Sequence, residues 1–389
     1  MLKNSPKSAE RTAKITPFRV MTVLERASQL EAAGRSIIHM EVGEPDFATA
    51  KPIIEAGQQA LDNGHIHYTA ATGIPQLKEK ISQYYLQKFD VVVNVDRICV
   101  TPGASGGLSL LSHLLLNPGD GILLADPGYP CNRNFIHLAG AEPQLVPVNK
   151  ESNFQPSLTL LNKFARYNTT GVWLATPANP TGTILDEKSL REITQWARAR
   201  NAHVLVDEIY QGLHYLDELP TALKEDSTAF IVNSFSKYFG MTGWRLGWII
   251  FPPEYTEIVT TLAQNLFISA STIAQFAALA AFEPATIEIL EERRHQFRKR
   301  RDFLYKALIE LGFCVETKTQ GGLYIYAGIE QFSTDAEQFC MDMLENHGVA
   351  LTPGVDFGDN ACNKYVRFAF TTEMKNLQQG IDRLRQALV

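Results

Sequence analysis

Lys237 lies among residue types that could hold a phosphate group and form an imine. It ends the run Ser234-Phe-Ser236-Lys237, which follows an apolar segment, and Arg245 comes eight residues later. Hydroxyls and a guanidinium are good phosphate ligands. A lysine amine attacks a carbonyl carbon once its pKa is lowered from about 10.4, which the charge of Arg245 and of a bound group could do. The run therefore indicates a phosphate clamp beside an imine-forming lysine.

Three further polar clusters follow apolar segments. Gly103 to Gly107 opens a helical run, so its free N–H groups and the Ser105 hydroxyl could bind a phosphate, although a plain strand-to-helix turn explains them too. Asn179-Pro-Thr-Gly182 is either ordinary turn chemistry or an amide placed on a ligand oxygen. Asp207, at the end of an apolar run, needs a partner if it is buried. A helix N-cap, a metal or a pyridinium nitrogen would serve, and Tyr210 could reach the same ligand.

The elements that position these clusters are alternating strands and helices. Continuous apolar runs of four or five residues, separated by helical segments, predict a mostly parallel buried sheet. Ligands bind beyond the carboxyl ends of the strands in such a sheet, which is where the clusters lie. The predicted strands are 97–100, 121–125, 171–175, 203–206, 229–233 and 246–250, and the predicted helices between them include 108–116 and 190–200.

A change of pattern near residue 285 predicts two domains in an α/β fold. A long charged helix at 285–311 precedes shorter units, with strands at 322–326 and 365–370 and a helix near 334–346. We expect a large domain at residues 47–284 and a small α+β domain that combines residues 1–46 with 285–389. Glu288, Glu291 and Glu292 balance the basic run from Arg293 to Arg301, which at helical spacing predicts a solvated face of ion pairs.

The composition argues against several classes of protein. A formal net charge of -6 and a pI of about 5.9 disfavour nucleic-acid binding. The five cysteines are scattered without a Cys-x-x-Cys motif, which disfavours a disulfide framework and a zinc site. No apolar stretch approaches the roughly 20 residues of a membrane span, and residues 1–23 lack the apolar core of a signal peptide. We expect a reduced, cytoplasmic, soluble protein that holds no metal and binds neither nucleic acid nor membrane.

Taken together, the clusters resemble those of a known family. Their order and spacing are similar to those of the fold-type I, class I and II aminotransferases related to aspartate aminotransferase. The resemblance runs from Val42-Gly-Glu-Pro-Asp-Phe47 to Val366-Arg367-Phe368. It implies a large domain with a mostly parallel mixed sheet between helices, and a smaller α+β domain. It also implies pyridoxal 5′-phosphate as cofactor and ping-pong transfer of an amino group from an L-amino acid to a 2-oxo acid.

The resemblance implies roles at the cofactor. Lys237 would form a Schiff base with it and then shuttle a proton at the substrate Cα. Asp207 would keep the pyridine nitrogen protonated, so that the ring acts as an electron sink. Tyr210 and Asn179 would hydrogen-bond the phenolic oxygen, and Tyr129 would stack on the ring. The phosphate would be held by Gly103, Ala104, Ser105, Ser234, Ser236 and Arg245.

The resemblance also implies roles at the substrate. Arg367 would grip the α-carboxylate as a bidentate pair, and the Gly43 N–H would approach the same group. Asn179 and Tyr129 would border the substrate. Tyr68 would reach the phosphate bound in a partner subunit, which implies a homodimer with shared active sites.

The sequence departs from the aspartate-specific pattern. Phe18-Arg19-Val20 puts bulky apolar groups where some relatives have small polar ones, and 264–269, expected near the partner's active site, contains no Lys or Arg. We therefore expect a neutral, aromatic or alanine-like amino donor, with 2-oxoglutarate or pyruvate as acceptor. A carbon–sulfur β-lyase, a ring-forming enzyme of the same fold and a non-catalytic ligand-sensing paralogue remain alternatives.

Overall fold

A computed structural model describes residues 8–388. Its helices are α1 (Arg19–Ala32), α2 (Lys51–Asp62), α3 (Pro75–Phe89), α4 (Gly103–Leu115), α5 (Pro130–Leu138), α6 (Leu158–Phe164), α7 (Glu187–Ala199), α8 (Thr256–Leu266), α9 (Thr272–Leu279), α10 (Pro284–Glu310), α11 (Ala336–His347) and α12 (Met374–Leu388). Its strands are β1 (Ile38–His39), β2 (Ile98–Thr101), β3 (Gly121–Asp126), β4 (Glu142–Pro147), β5 (Thr169–Ala175), β6 (His203–Asp207), β7 (Phe230–Ser234), β8 (Gly247–Ile250), β9 (Tyr324–Gly328), β10 (Val349–Ala350), β11 (Thr352–Pro353) and β12 (Tyr365–Ala369).

The central element is a seven-stranded sheet in the order β2-β8-β7-β6-β5-β3-β4. Strand β8 runs antiparallel to both neighbours, and the other recorded pairings are parallel. All six predicted strands of this sheet form within two residues of their predicted bounds. Strand β4 was not predicted, because as an edge strand it alternates buried and partly buried residues and contains two prolines.

Both faces of the sheet are covered by apolar side chains. Along β6, Val204 and Val206 belong to one hydrophobic cluster, and Leu205 belongs to another on the opposite face. Double burial explains the continuous apolar runs in the sequence.

Within residues 8–388 no single helix is both long and apolar enough to cross a membrane. One pair of helical segments, Thr272–Phe282 with Pro284–Glu310, meets the length and composition criteria together, across an 82° bend.

Helix α4 begins five residues earlier than predicted, so the glycine-rich cluster forms its first turns. Two of the glycines allow the helix and sheet to approach closely. A Cβ on Gly107 would lie 2.7 Å from Ile249 Cγ2, and one on Gly247 would lie 2.8 Å from the Ala104 nitrogen. The N-terminus of α4 is thereby held against β8, beside the end of β7.

Two smaller sheets lie outside the central one. Strands β11, β12 and β9 form an antiparallel sheet, and β1 pairs in parallel with β10, so the N-terminal arm joins the C-terminal part. Strand β9 begins two residues later than predicted, because Gly322, at a φ of 74°, is not extended and its N–H donates to Leu213 O outside the strand. The division at residues 46/47 and 284/285 stays a prediction, and residues 1–7 and 389 of its small domain lie outside the described residues.

The prediction of a solvated face for the basic run of α10 is wrong at Arg300 and Arg301, which are buried. Arg300 Nη1 donates to Asp46 Oδ1 at 2.7 Å, and its guanidinium lies 4.9 Å from the centre of the Phe47 ring. The Arg301 guanidinium lies 4.5 Å from the centre of the Tyr215 ring. Aromatic faces and oxygen acceptors from other segments replace water around each guanidinium. The pattern of charges along the helix does not reveal these partners.

Candidate active site

A cavity of about 530 Å³ opens at the carboxyl ends of β5 and β6, beside the segment that follows β1. It gathers side chains and backbone from widely separated parts of the chain, as expected for a site at the carboxyl edge of a parallel sheet. Of the predicted site residues it is lined by Gly43, Tyr129, Asn179, Asp207, Tyr210, Lys237, Arg245 and Arg367.

Lys237 projects into this cavity from the turn after β7. Its Nζ donates to Gly43 O at 2.7 Å and lies 5.7 Å from the centre of the Tyr210 ring. The turn is fixed by Ser236, whose N–H donates to Ser234 Oγ at 3.0 Å. Both serines are buried at the end of the strand. The amine is therefore held by a backbone carbonyl that a ligand could replace.

Asp207 is a buried carboxylate at the end of β6. Its Oδ1 accepts from the Ile209 N–H at 3.0 Å. Burial raises its pKa to about 7, against the lowering effects of that N–H group and of the Lys237 charge. It forms no ion pair within residues 8–388. A ligand that brings a protonated ring nitrogen to Asp207 would supply the missing partner.

Arg367, on β12, is buried with unused hydrogen-bonding capacity. Its Nη1 donates to Asn179 Oδ1 at 2.9 Å and its Nη2 donates to Glu41 O at 2.5 Å. Its guanidinium stacks on Tyr324, 4.0 Å from the ring centre. Its Nε is buried without a partner, and no carboxylate pairs with it in the described part of the chain. This arrangement suits bidentate binding of a small carboxylate.

Arg245 and the start of α4 form an anion-binding corner. Gly103 has a φ of 71°, and a Cβ there would lie 2.8 Å from Arg245 Nη2, so a larger residue would fill the corner. Arg245 is exposed, with Nη1 donating to Thr242 O at 3.1 Å. Ser105 is exposed on the first turn of α4. Helix N–H groups beside a guanidinium suit a phosphate.

The remaining predicted site residues flank the cavity or lie away from it. Four of them do not line the cavity but lie beside the anion-binding corner, at the start of α4 and the end of β7: Ala104, Ser105, Ser234 and Ser236. Tyr68 is 80% exposed and lies outside the cavity of its own chain. It belongs to a loop that α9 holds, with Thr272 Oγ1 donating to His67 O at 2.6 Å.

Tyr324 is a site residue that the sequence did not reveal. Its hydroxyl lies 2.8 Å from that of Tyr210 and donates to Gly43 O at 3.5 Å. A Cβ on Gly43 would collide with this hydroxyl. Burial alone would raise the pKa of Tyr324, but the charges of Arg367 and Lys237 and the Tyr210 hydrogen bond lower it overall. Nothing in the sequence separates Tyr324 from Tyr326, two residues on along the same strand.

Comparison with known proteins decides the family. Residues 35–384 match the model of the family described as aminotransferase class I and II. The chain belongs to this family. It is 36% identical over 383 residues to the (5-formylfuran-3-yl)methyl phosphate transaminase of Methanocaldococcus jannaschii, covering 98% of this chain and 99% of that one. It is 32% identical over 374 residues to the valine–pyruvate aminotransferase of Mycobacterium tuberculosis, covering 96% of each.

The fold comparison agrees. A crystal structure of an aminotransferase from Mycobacterium tuberculosis superposes with a TM-score of 0.95 at 31% identity, covering 99% of each chain. The predictions of the fold class, of an aminotransferase and of pyridoxal phosphate are therefore confirmed. The residues fit this cofactor: the anion-binding corner suits its phosphate, and Asp207 suits its ring nitrogen. When bound, pyridoxal phosphate supplies the electron sink of the reaction.

Proposed function

We propose that this aminotransferase takes its amino group from a neutral L-amino acid with an apolar or aromatic side chain. The observation that carries this proposal is the apolar wall of the cavity, which is formed by side chains that line it together with the polar residues. The Phe18 ring packs edge-to-face on Tyr129, with the centroids 5.9 Å apart. The wall consists of Phe18, Val20, Met21, Val42, Pro177 and Ile209.

The charges of the cavity support the same proposal. Among its described lining residues the cations are Lys237, Arg245 and Arg367, and each has a role that the cofactor or the α-carboxylate requires. Glu44 lines the same space and would repel a second carboxylate. The mycobacterial relative is named for a neutral donor, valine, whereas the archaeal relative is named for a phosphorylated furan aldehyde. The expected preference for a neutral donor therefore rests on the residues of the cavity wall and not on the names of these relatives.

We propose the following division of labour. Arg367 binds the substrate α-carboxylate and orients the Cα–H bond, and the Lys237 amine takes the proton from Cα and returns it during the cycle. Asp207 would hold a proton on the ring nitrogen of the bound cofactor. Tyr210 and Asn179 would hydrogen-bond its phenolic oxygen, and Tyr129 would contact its ring. Its phosphate would be held by Gly103, Ala104, Ser105, Ser234, Ser236 and Arg245, and the Gly43 N–H would add to the carboxylate site.

We further propose a homodimer in which Tyr68 completes the phosphate site of the other subunit. Tyr68 is 80% exposed in the loop that α9 holds, and the apolar Ile66, two residues before it, and Ile268 are exposed as well. Several exposed apolar side chains are typical of an interaction surface. The five cysteines, all without a disulfide, support a reducing, cytoplasmic location.

A substrate panel tests the proposed donor. Twenty amino acids are assayed against 2-oxoglutarate and pyruvate, each with and without the acceptor. We expect phenylalanine, methionine or alanine to exceed aspartate by at least about tenfold in kcat/KM, because placing the side-chain carboxylate of aspartate against an apolar wall costs more than about 1 kcal/mol. A preference for aspartate would contradict the proposal. Keto-acid formation without an acceptor would identify a lyase instead.

A further inference from the structure

The segment that follows β1 supports two of the three cations of the site, Arg367 and Lys237. Glu41 O accepts from Arg367 Nη2 and from Thr352 Oγ1, at 2.5 and 2.9 Å. Two residues later, Gly43 O accepts from Lys237 Nζ at 2.7 Å. The position of the Glu41 carbonyl therefore helps to set where the Arg367 guanidinium lies.

The side chain of Glu41 has an unusual environment. It is fully buried, its Oε1 lies 2.7 Å from His39 Nδ1, and its Oε2 is buried without a partner. The other ring nitrogen of His39, Nε2, lies 3.2 Å from Glu31 Oε1 of α1. The Glu41 hydrogen bond is the largest cause that raises the pKa of His39, to about 9. At neutral pH a charged imidazolium thus bridges two carboxylates.

A buried carboxylate with one cationic partner depends strongly on that partner. Loss of the cation leaves an uncompensated charge, which is far more costly than loss of both groups together. The peptide of Glu41 can relieve that cost by moving the side chain towards water, and its carbonyl would move with it. Neither His39 nor Glu41 lines the cavity through its side chain. Any effect on the substrate must therefore pass through the backbone and Arg367.

We propose that His39 and Glu41 are positioning residues for Arg367: the ion pair between the half-buried His39 and the fully buried Glu41 fixes the backbone carbonyl on which the carboxylate-binding guanidinium rests. The inference builds on the proposed role of Arg367 in substrate binding. Through Glu31 the same pair ties α1, which carries Val20 and Met21 of the apolar wall, to the carboxylate site. The imidazolium thus contacts both α1 and the segment whose carbonyl supports Arg367.

The test compares holoenzyme variants by kinetics and by binding of 3-phenylpropanoate, which has a carboxylate but no amine to react. His39→Ala should raise KM for the donor and the calorimetric Kd for 3-phenylpropanoate about tenfold, since about 1.4 kcal/mol of binding is lost. The kcat and the visible absorbance of the bound cofactor should change little. His39→Gln, which keeps one donor without the charge, should raise both constants about threefold, and it replaces His39→Ala if that variant does not fold.

Two further variants separate positioning from plain stability. In the double variant His39→Gln/Glu41→Gln a neutral pair replaces the ion pair. This variant should regain most of the affinity for 3-phenylpropanoate that His39→Gln loses. Lys51→Gln, a change of one charge at an exposed position of α2, serves as the matched control and should leave Kd unchanged. A fall in melting temperature with unchanged KM and Kd in His39→Ala and His39→Gln would overturn the proposal.

The variant Arg367→Lys separates a failure of the positioning proposal from a failure of the proposed role of Arg367 in carboxylate binding. If Arg367→Lys weakens 3-phenylpropanoate binding and the His39 variants do not, the positioning proposal alone is wrong. If Arg367→Lys itself leaves Kd unchanged, Arg367 does not bind the carboxylate, and the proposed function of that residue fails together with the inference.

Discussion

Asp207 shows how one residue can cost stability in the empty protein and support function in the loaded one. Its pKa, raised to about 7 by burial, means that the fold favours the neutral carboxyl. The protonated form of Asp207 therefore favours the folded state over the unfolded one. This contribution to the free energy of unfolding is fully present below the unfolded pKa of about 3.9 and is lost as the pH rises through 7. A protonated ring nitrogen facing the carboxylate would remove this penalty.

Asp207→Asn should therefore have opposite effects on stability and activity. At pH 8 the cofactor-free variant should be more stable than the cofactor-free parent by on the order of 4 kcal/mol, and the difference should vanish near pH 4. With cofactor its activity should fall at least about a hundredfold. Calorimetric melting of both cofactor-free proteins between pH 4 and 8 checks this, and a variant that melts lower at pH 8 would contradict it.

Much of the site was visible at the residue level because its chemistry needs particular residue types at strand ends. Lys237, Asp207, Asn179 and Arg367 do line one cavity. Tyr324 was missed because an aromatic in a strand is ordinary core material, and only the fold brings it to Gly43. The same holds for Glu41, whose contribution is a backbone carbonyl.

At the scale of secondary-structure elements, a strand of the central sheet could be predicted when it was buried on both faces. Strands covered on both faces gave continuous apolar runs, so six of the seven strands of the central sheet were predicted, whereas the edge strand β4 was not. Helices α2 and α3 were not predicted from the sequence at all. The buried guanidinium of Arg300 escaped prediction because aromatic partners distant in sequence make its burial possible.

Helix α1 should govern substrate choice, because it carries Val20 and Met21 into the cavity wall. Met21→Lys places a cation there and should raise the ratio of kcat/KM for aspartate over phenylalanine by about tenfold or more. Thr22→Lys adds the same charge one residue later on the helix, at an exposed position that does not line the cavity. An equal change in both variants would show that general electrostatics, and not the wall, sets the preference.

At the scale of the whole molecule, the proposed dimer should be required for activity. Ile66→Glu, beside Tyr68, should produce a monomer by sedimentation and lower the activity at least about tenfold, because a charge in an apolar interface is costly. Tyr167→Glu alters a fully exposed residue at the amino end of β5, away from the site, and should leave a dimer of normal activity. An active Ile66→Glu monomer would refute the shared site.

The central claim is that Lys237 is the residue that bonds the cofactor. Borohydride reduction of the holoenzyme, followed by digestion and mass spectrometry, tests this most directly. The account predicts a phosphopyridoxyl mass increment on the peptide that contains Lys237, and neither the increment nor turnover in Lys237→Ala. An increment on another lysine, or a Lys237→Ala protein that still transaminates, would contradict it.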